Sequence, residues 1–345
     1  MSQPASRPDS FAELDDLLSI LSAAGARFST RTVCEIQVDA RPFPLLATTL
    51  GSDHPQAPRS ASSAACMGSS RSARNSCSTI MRALLQRLEW DELLLQQLRV
   101  VRLVFMPIVN PGGMWAKTRS NPNGVDLMRN APQNAEGHVP FLAGGQRIGP
   151  WLPWYRGAAG APMEPESLAL LRVVKEELMS RPLSFAVDCH SGFGWGRQHL
   201  VSLCADRPQD GPSARDVPAQ DFVRTGLPAS SVHLRAAKPS IPSARRSLGT
   251  APTTRRRRRI SSCRWTLELG SWRWIRKNPT QLFSRVGIFN PVMAHRTQRV
   301  LRRHVNFLDF LTRAAFASHR WLPQGAARQI LLERATQHWQ RGPRR

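Results

Sequence analysis

The chain has 345 residues, 41% hydrophobic and 21% charged, which is enough for one large or two ordinary domains and excludes a disordered tail or a disulfide-stapled miniprotein. Lys plus Arg number 48 against 24 Asp plus Glu, a formal charge of +24, a surplus that ordinarily points to nucleic acid or an anionic surface. The surplus is local: residues 197–264 carry fourteen basic and four acidic side chains, residues 294–345 eleven and two, and residues 59–82 four Arg and no acid.

Residues 11–24 place Leu14, Leu17, Leu18 and Leu21 at helical spacing behind Ser10 as N-cap, which predicts an amphipathic helix. Residues 32–38 and 43–50 read as strands, and residues 60–80 show neither a strand nor a helix period. A second helix is predicted over 81–98, with Leu84, Leu85, Leu88 and Leu95 on one side, running into an apolar strand over 100–109. A third helix over 166–180 ends before Pro182, and a short buried strand over 183–189 stops at His190-Ser191-Gly192. Residues 265–269 read as a strand, and 296–316 as a long helix with Val300, Leu301, Val305, Leu308 and Leu311 inward. Strands alternating with helices predict an α/β fold, a mixed, mostly parallel sheet with helices on both faces. One domain over 1–320, interrupted by irregular stretches at 60–80 and 197–264, followed by a basic helix or tail over 321–345, is the expected organisation.

In such sheets ligands bind beyond the carboxyl ends of the strands, so the polar residues there carry the functional signal. The first set is Asn110-Pro111-Gly112-Gly113, then Trp115-Ala116-Lys117-Thr118-Arg119 and Gly124-Val125-Asp126-Leu127-Met128-Arg129-Asn130. The second is Asp188-Cys189-His190-Ser191 and the third Thr266-Leu267-Glu268. Taken in this order, the three resemble the zinc carboxypeptidase family. That family has an Asn-Pro turn, a Gly-Val-Asp-Leu-Asn-Arg-Asn loop, an Asp-x-His-Ser strand end and a Thr-x-Glu strand.

The resemblance implies a zinc-dependent hydrolase that cleaves the C-terminal amide of a peptide or acylated amino acid carrying a free carboxylate. It makes His190 a zinc ligand steadied by Asp188, since neutral imidazole suits a catalytic zinc. It makes Glu268 the catalytic group that moves a proton from the activated water to the leaving amine. Arg129 matches the arginine that grips the substrate carboxylate, a task suited to the guanidinium fork. Met128 replaces the asparagine that assists it, and Ala116 replaces the arginine that stabilises the oxyanion, leaving Arg119 or Lys117 as the nearest substrate-binding cations.

The larger departure is the family's first zinc motif, a His-x-x-Glu typically within Gly-x-His-Gly-x-Glu, expected near residues 60–75 and absent there. One His cannot hold a catalytic zinc, which takes about three protein ligands. Two explanations stand. Residues 65–71 admit codons that, read two nucleotides in, give Val-His-Gly-Leu-Glu, and residues 198–204 admit codons that, read one nucleotide in, give Ser-Ile-Trp-Phe-Pro-Tyr; both stretches would then be frameshifted. Alternatively, both are true linkers, for which a Ser, Pro, Ala and Arg bias is typical.

The chain as written is therefore expected to be an impaired enzyme, with a catalytically dead pseudoenzyme as the alternative. A basic nucleic-acid-binding protein is the weaker reading, because aromatic residues do not alternate with the basic ones as a stacking platform requires. No apolar run reaches the roughly 18 residues of a membrane span, residues 1–11 lack a signal-peptide core, and the six Cys include no CxxC pair. A cytoplasmic protein with reduced thiols and no membrane partner is the expectation.

Overall fold

The computed structural model describes residues 10–55, 57–63, 71–131, 144–179, 181, 183–190, 198–205, 233–236, 261–268, 276, 279, 294–322, 326–327, 329–330 and 333. Its strands are β1 (Ser29–Val38), β2 (Arg41–Gly51), β3 (Arg59–Ser63), β4 (Arg102–Met106), β5 (Leu183–His190), β6 (Gln198–Ala205), β7 (His233–Ala236) and β8 (Ser261–Glu268). They form one mixed sheet in the order β1-β2-β4-β3-β5-β8-β6-β7. β4, β3, β5 and β8 run parallel to their neighbours in this series, while β1 to β2, β2 to β4 and β6 to β8 are antiparallel. The expected α/β architecture is therefore present, with a parallel centre.

The sheet starts with a two-residue hairpin. Asp39 and Ala40 have φ of 49° and 63°, the paired left-handed turn whose twist matches the flanking strands. β4 buries Leu103, Val104, Phe105 and Met106 in succession, the continuous apolar run of a strand covered on both faces. Helices α1 (Ala12–Ala24), α2 (Arg71–Arg87), α3 (Glu92–Leu98), α4 (Pro111–Trp115), α5 (Pro165–Glu177), α6 (Ala294–Phe316) and α7 (Ser318–Trp321) supply the cover. α2 packs on α1 and α6, α6 reaches β3 and β5, and α5 lies against β1 and β2.

Three expectations need correction. The single helix over 81–98 is two, because the Asp91 side chain accepts the Leu94 N–H at 3.0 Å and so caps a new helix, α3. Ser10 does not cap α1: Phe11 occupies that position without a side-chain cap bond. Its ring is buried against Phe43 and Trp115, at centroid distances of 5.4 and 6.0 Å. Residues 60–80 are not uniformly irregular, since their described part forms β3 in the sheet centre and the start of α2, with Cys77 and Met81 fully buried. Likewise 197–264 contains β6, β7 and the start of β8. The family segment 64–70 and most of the expected C-terminal helix lie outside the described residues. No helix among the described residues is long and apolar enough to cross a membrane.

Candidate functional site

The parallel run brings four carboxyl ends to one edge of the sheet. β4 leads through Ile108 to Asn110, β3 ends at Ser63, β5 at His190 and β8 at Glu268. His190 and Glu268 are register partners on adjacent parallel strands, which places their backbones about 4.8 Å apart. Asp188 sits two residues earlier on β5, opposite both Ser63 and Thr266. Two residues separated by almost eighty positions in sequence are thus side by side, an arrangement that periodicity alone could not reveal.

The loop after β4 is built from buried polar side chains. Asn110 is fully buried; its Oδ1 accepts the Gly113 N–H at 2.8 Å, capping α4, and its Nδ2 donates to the Arg119 carbonyl at 3.3 Å. Position 113 must be glycine, because a Cβ there would lie 2.3 Å from Asn110 Nδ2 and 2.4 Å from the Ser120 carbonyl. Asn121 Oδ1 accepts the Asn123 and Val125 N–H groups at 3.1 and 3.0 Å. Asn130 Nδ2 donates to the Arg156 carbonyl at 3.0 Å, and Arg156 Nε donates to the Arg129 carbonyl at 2.9 Å. These bonds satisfy groups that would otherwise be costly to bury, and they fix the backbone of Arg129.

Arg119 is committed within the same loop. Its Nε donates to Asp126 Oδ2 at 3.1 Å, with the Asp126 side chain 4% exposed and that of Arg119 34%. Asp126 Oδ1 also accepts the Met128 N–H at 3.1 Å, and its carbonyl accepts the Arg129 N–H at 2.8 Å. Asp126 therefore links the two arginines that the sequence singles out.

Sequence reasoning missed Glu166, 1% exposed at the start of α5. Both of its carboxylate oxygens lie 3.2 Å from Asn121 Nδ2. Burial pushes its carboxyl above the ordinary value, and the neighbouring Glu164 adds to the rise, against the lowering effect of its hydrogen bonds. The signal was available: a carboxylate one position after the N1 Pro165, on the same face of the helix as the buried Ala169 and Val173. A folded-state pKa raised above the unfolded value favours folding at low pH, and this contribution is lost as pH rises through the folded value. Stability measured by urea unfolding is thus expected to fall more steeply above pH 4.5 in the native chain than in Glu166→Gln.

Residues 47–200 match the family model described as zinc carboxypeptidase. Over this stretch the chain is similar to that family. Solved structures agree on the fold. Bovine thrombin-activatable fibrinolysis inhibitor, solved with tick carboxypeptidase inhibitor, has a TM-score of 0.55 and 11% identity, covering 89% of this chain and 96% of that one. A metallo-carboxypeptidase from Burkholderia cenocepacia has a TM-score of 0.52 and 13% identity, covering 88% and 68%. No curated protein matches the chain in sequence. By this resemblance the chain is a hydrolase, and zinc is the metal to expect.

The donor set does not fit that metal. Between His54 and Glu89 the sequence has no His, Asp or Glu; the connection from β3 to α2 offers Cys66 alone, and Cys77 within α2 is fully buried in the core. Among the described residues no group of three or more His, Cys, Asp or Glu could hold a metal ion. His190 by itself falls short of the three protein ligands of a catalytic zinc.

Proposed function

We propose that the site is that of a metallocarboxypeptidase acting on the C-terminal amide of a peptide or an acylated amino acid, impaired in the chain as written. The observation that carries this reading is the pairing of His190 with Glu268 at the carboxyl edge, beside a loop that fixes Arg129. Arg129 binds the substrate carboxylate through its guanidinium fork, and Arg119, oriented by Asp126, lends a second positive charge. Glu268 serves as the proton-moving carboxylate, and His190 is the remaining metal-binding side chain. Met128 and Ala116 leave the carboxylate and oxyanion contacts thinner than in the family pattern. An N-acyl amino acid, with fewer subsites to fill, suits such a site better than a long peptide.

Retention of the Arg129 loop with loss of the metal donors favours binding without turnover. The test is to offer the purified chain an N-acylated dipeptide with a free C-terminus. Turnover is expected to be no greater than in Glu268→Gln, while binding measured by calorimetry is expected to weaken about tenfold in Arg129→Ala. Turnover that a zinc chelator abolishes would disprove the impairment, and binding unaffected by Arg129→Ala would disprove the carboxylate role.

A further inference from the structure

We propose that residues 59–70 as written are the translation of a shifted reading frame, and that the same bases, entered at the third base of each codon, encode the strand and donor motif that this position of the fold requires. The inference rests on the hydrolase reading above only for what the motif would do; its own evidence is the mismatch between β3 and its place in the sheet.

β3 is hydrogen-bonded on both sides. Ser60 is in register with Leu103 and Phe185, and Ser62 with Phe105 and Val187, and all four neighbours are buried, at 4, 1, 3 and 0% exposure. A parallel strand between two such strands is covered on both faces and reads as a near-continuous apolar run. Arg59-Ser60-Ala61-Ser62-Ser63 contains no residue larger than Ala among its apolar members. Serine is a weak strand former beside the β-branched and aromatic residues that fill such positions, so composition and location conflict.

The genetic code resolves the conflict where the serines are written with TCN codons. In the shifted frame each codon is one third base followed by the first two bases of the next codon. A TCN serine then becomes NTC, which is Phe, Leu, Ile or Val whatever the first base, so Ser60, Ser62 and Ser63 all turn apolar. Ala61, Ala64 and Ala65 become NGC, which is Gly, Ser, Cys or Arg. Cys66 becomes NTG, which is Leu, Met or Val. Met67 becomes His or Tyr, and Gly68 is read as GGG and must be Gly. Ser69 becomes apolar again, and an AGY codon at Ser70 becomes NAG, which includes Glu. The outcome is an apolar residue at positions 60, 62 and 63, where the sheet needs them, followed by small-apolar-(His/Tyr)-Gly-apolar-(Glu/Lys/Gln), a string that includes side chains able to ligate zinc. Linker composition explains neither the forced glycine nor the alignment of apolar positions with β4 and β5.

The serine codon classes and the third bases are undetermined, and they make the proposal falsifiable by sequencing the gene over these codons. The expected result is TGC for Cys66, giving His, with TCG for Ser69 and AGY for Ser70, giving Glu. TGT for Cys66, a TCN codon for Ser70, or AGY codons for Ser60 and Ser62 would overturn it. A second measurement separates this proposal from the hydrolase reading. Full-length protein carrying the shifted residues over 60–70 is compared with the chain as written, after dialysis against zinc, by elemental analysis. About one zinc per chain is expected for the first and less than about a tenth for the second. If the bases read as expected and the restored chain still holds no zinc, the frame inference stands and the hydrolase reading fails. Full zinc occupancy in the chain as written would overturn the inference, since no donor motif would then be missing.

Discussion

Replacing Phe185 with alanine is expected to lower the unfolding free energy by about 3 to 5 kcal/mol, the range for a buried aromatic side chain removed from a core that closes only partly over the gap. Phe185 is 1% exposed, in the middle of β5, and pairs in register with Ser60 on one side and Cys263 on the other. Its ring stacks on Trp321 at 6.1 Å, 12° from parallel. Trp321 is itself held by a bond of 2.8 Å from its Nε1 to the Ala314 carbonyl. The cavity would therefore open between the sheet and the last helical turns, where α6 and α7 would have to move together to fill it. Urea unfolding followed by tryptophan fluorescence checks the value, and a loss under about 1 kcal/mol would mean that this part of the core packs loosely.

The elements that were legible in the sequence are those whose stability is local or periodic. Leu14 and Leu17 mark α1, the run from Leu103 to Met106 marks β4, and Leu308 and Leu311 mark α6; all are buried in the structure. β3 could not be read, because its residues carry no strand signal and its place is set by pairing with the neighbouring strands. The division between α2 and α3 was hidden for another reason: leucines continue across it, and a single aspartate, by capping, overrides the helical period.

The candidate site was legible in its parts but not in its assembly. Asn110, Arg129, His190 and Glu268 could be picked out by type and order, but the register of His190 against Glu268 depends on a crossover through residues 191–260, whose length carries no signal of where the strand returns. The buried carboxylates of Asp126 and Glu166 escaped notice as supports because their partners, Arg119 and Asn121, are polar residues in a loop without period.

Replacing Asp126 with alanine is expected to cost about 2 to 4 kcal/mol and also to weaken binding of a carboxylate ligand. The side chain, 4% exposed, receives Arg119 Nε and the Met128 N–H, both at 3.1 Å. Removing one member of a largely buried pair leaves the other charge poorly solvated, which costs about 3 to 5 kcal/mol when both are buried. Arg119 keeps a third of its side chain in water, so the lower part of that range applies. The orphaned Met128 N–H adds about 1 kcal/mol or more. The bond from the Arg129 N–H to the Asp126 carbonyl belongs to the backbone and survives the substitution, so the turn would loosen without being erased. Asp126→Asn separates the two effects: its amide oxygen can still accept from Met128, while its neutral side chain no longer balances Arg119. If the loop acts by holding Arg129 in place, Asp126→Asn should recover much of the lost stability and ligand binding should follow. Binding that stays at the native level in Asp126→Ala, despite the stability loss, would show that Arg129 does not depend on this support.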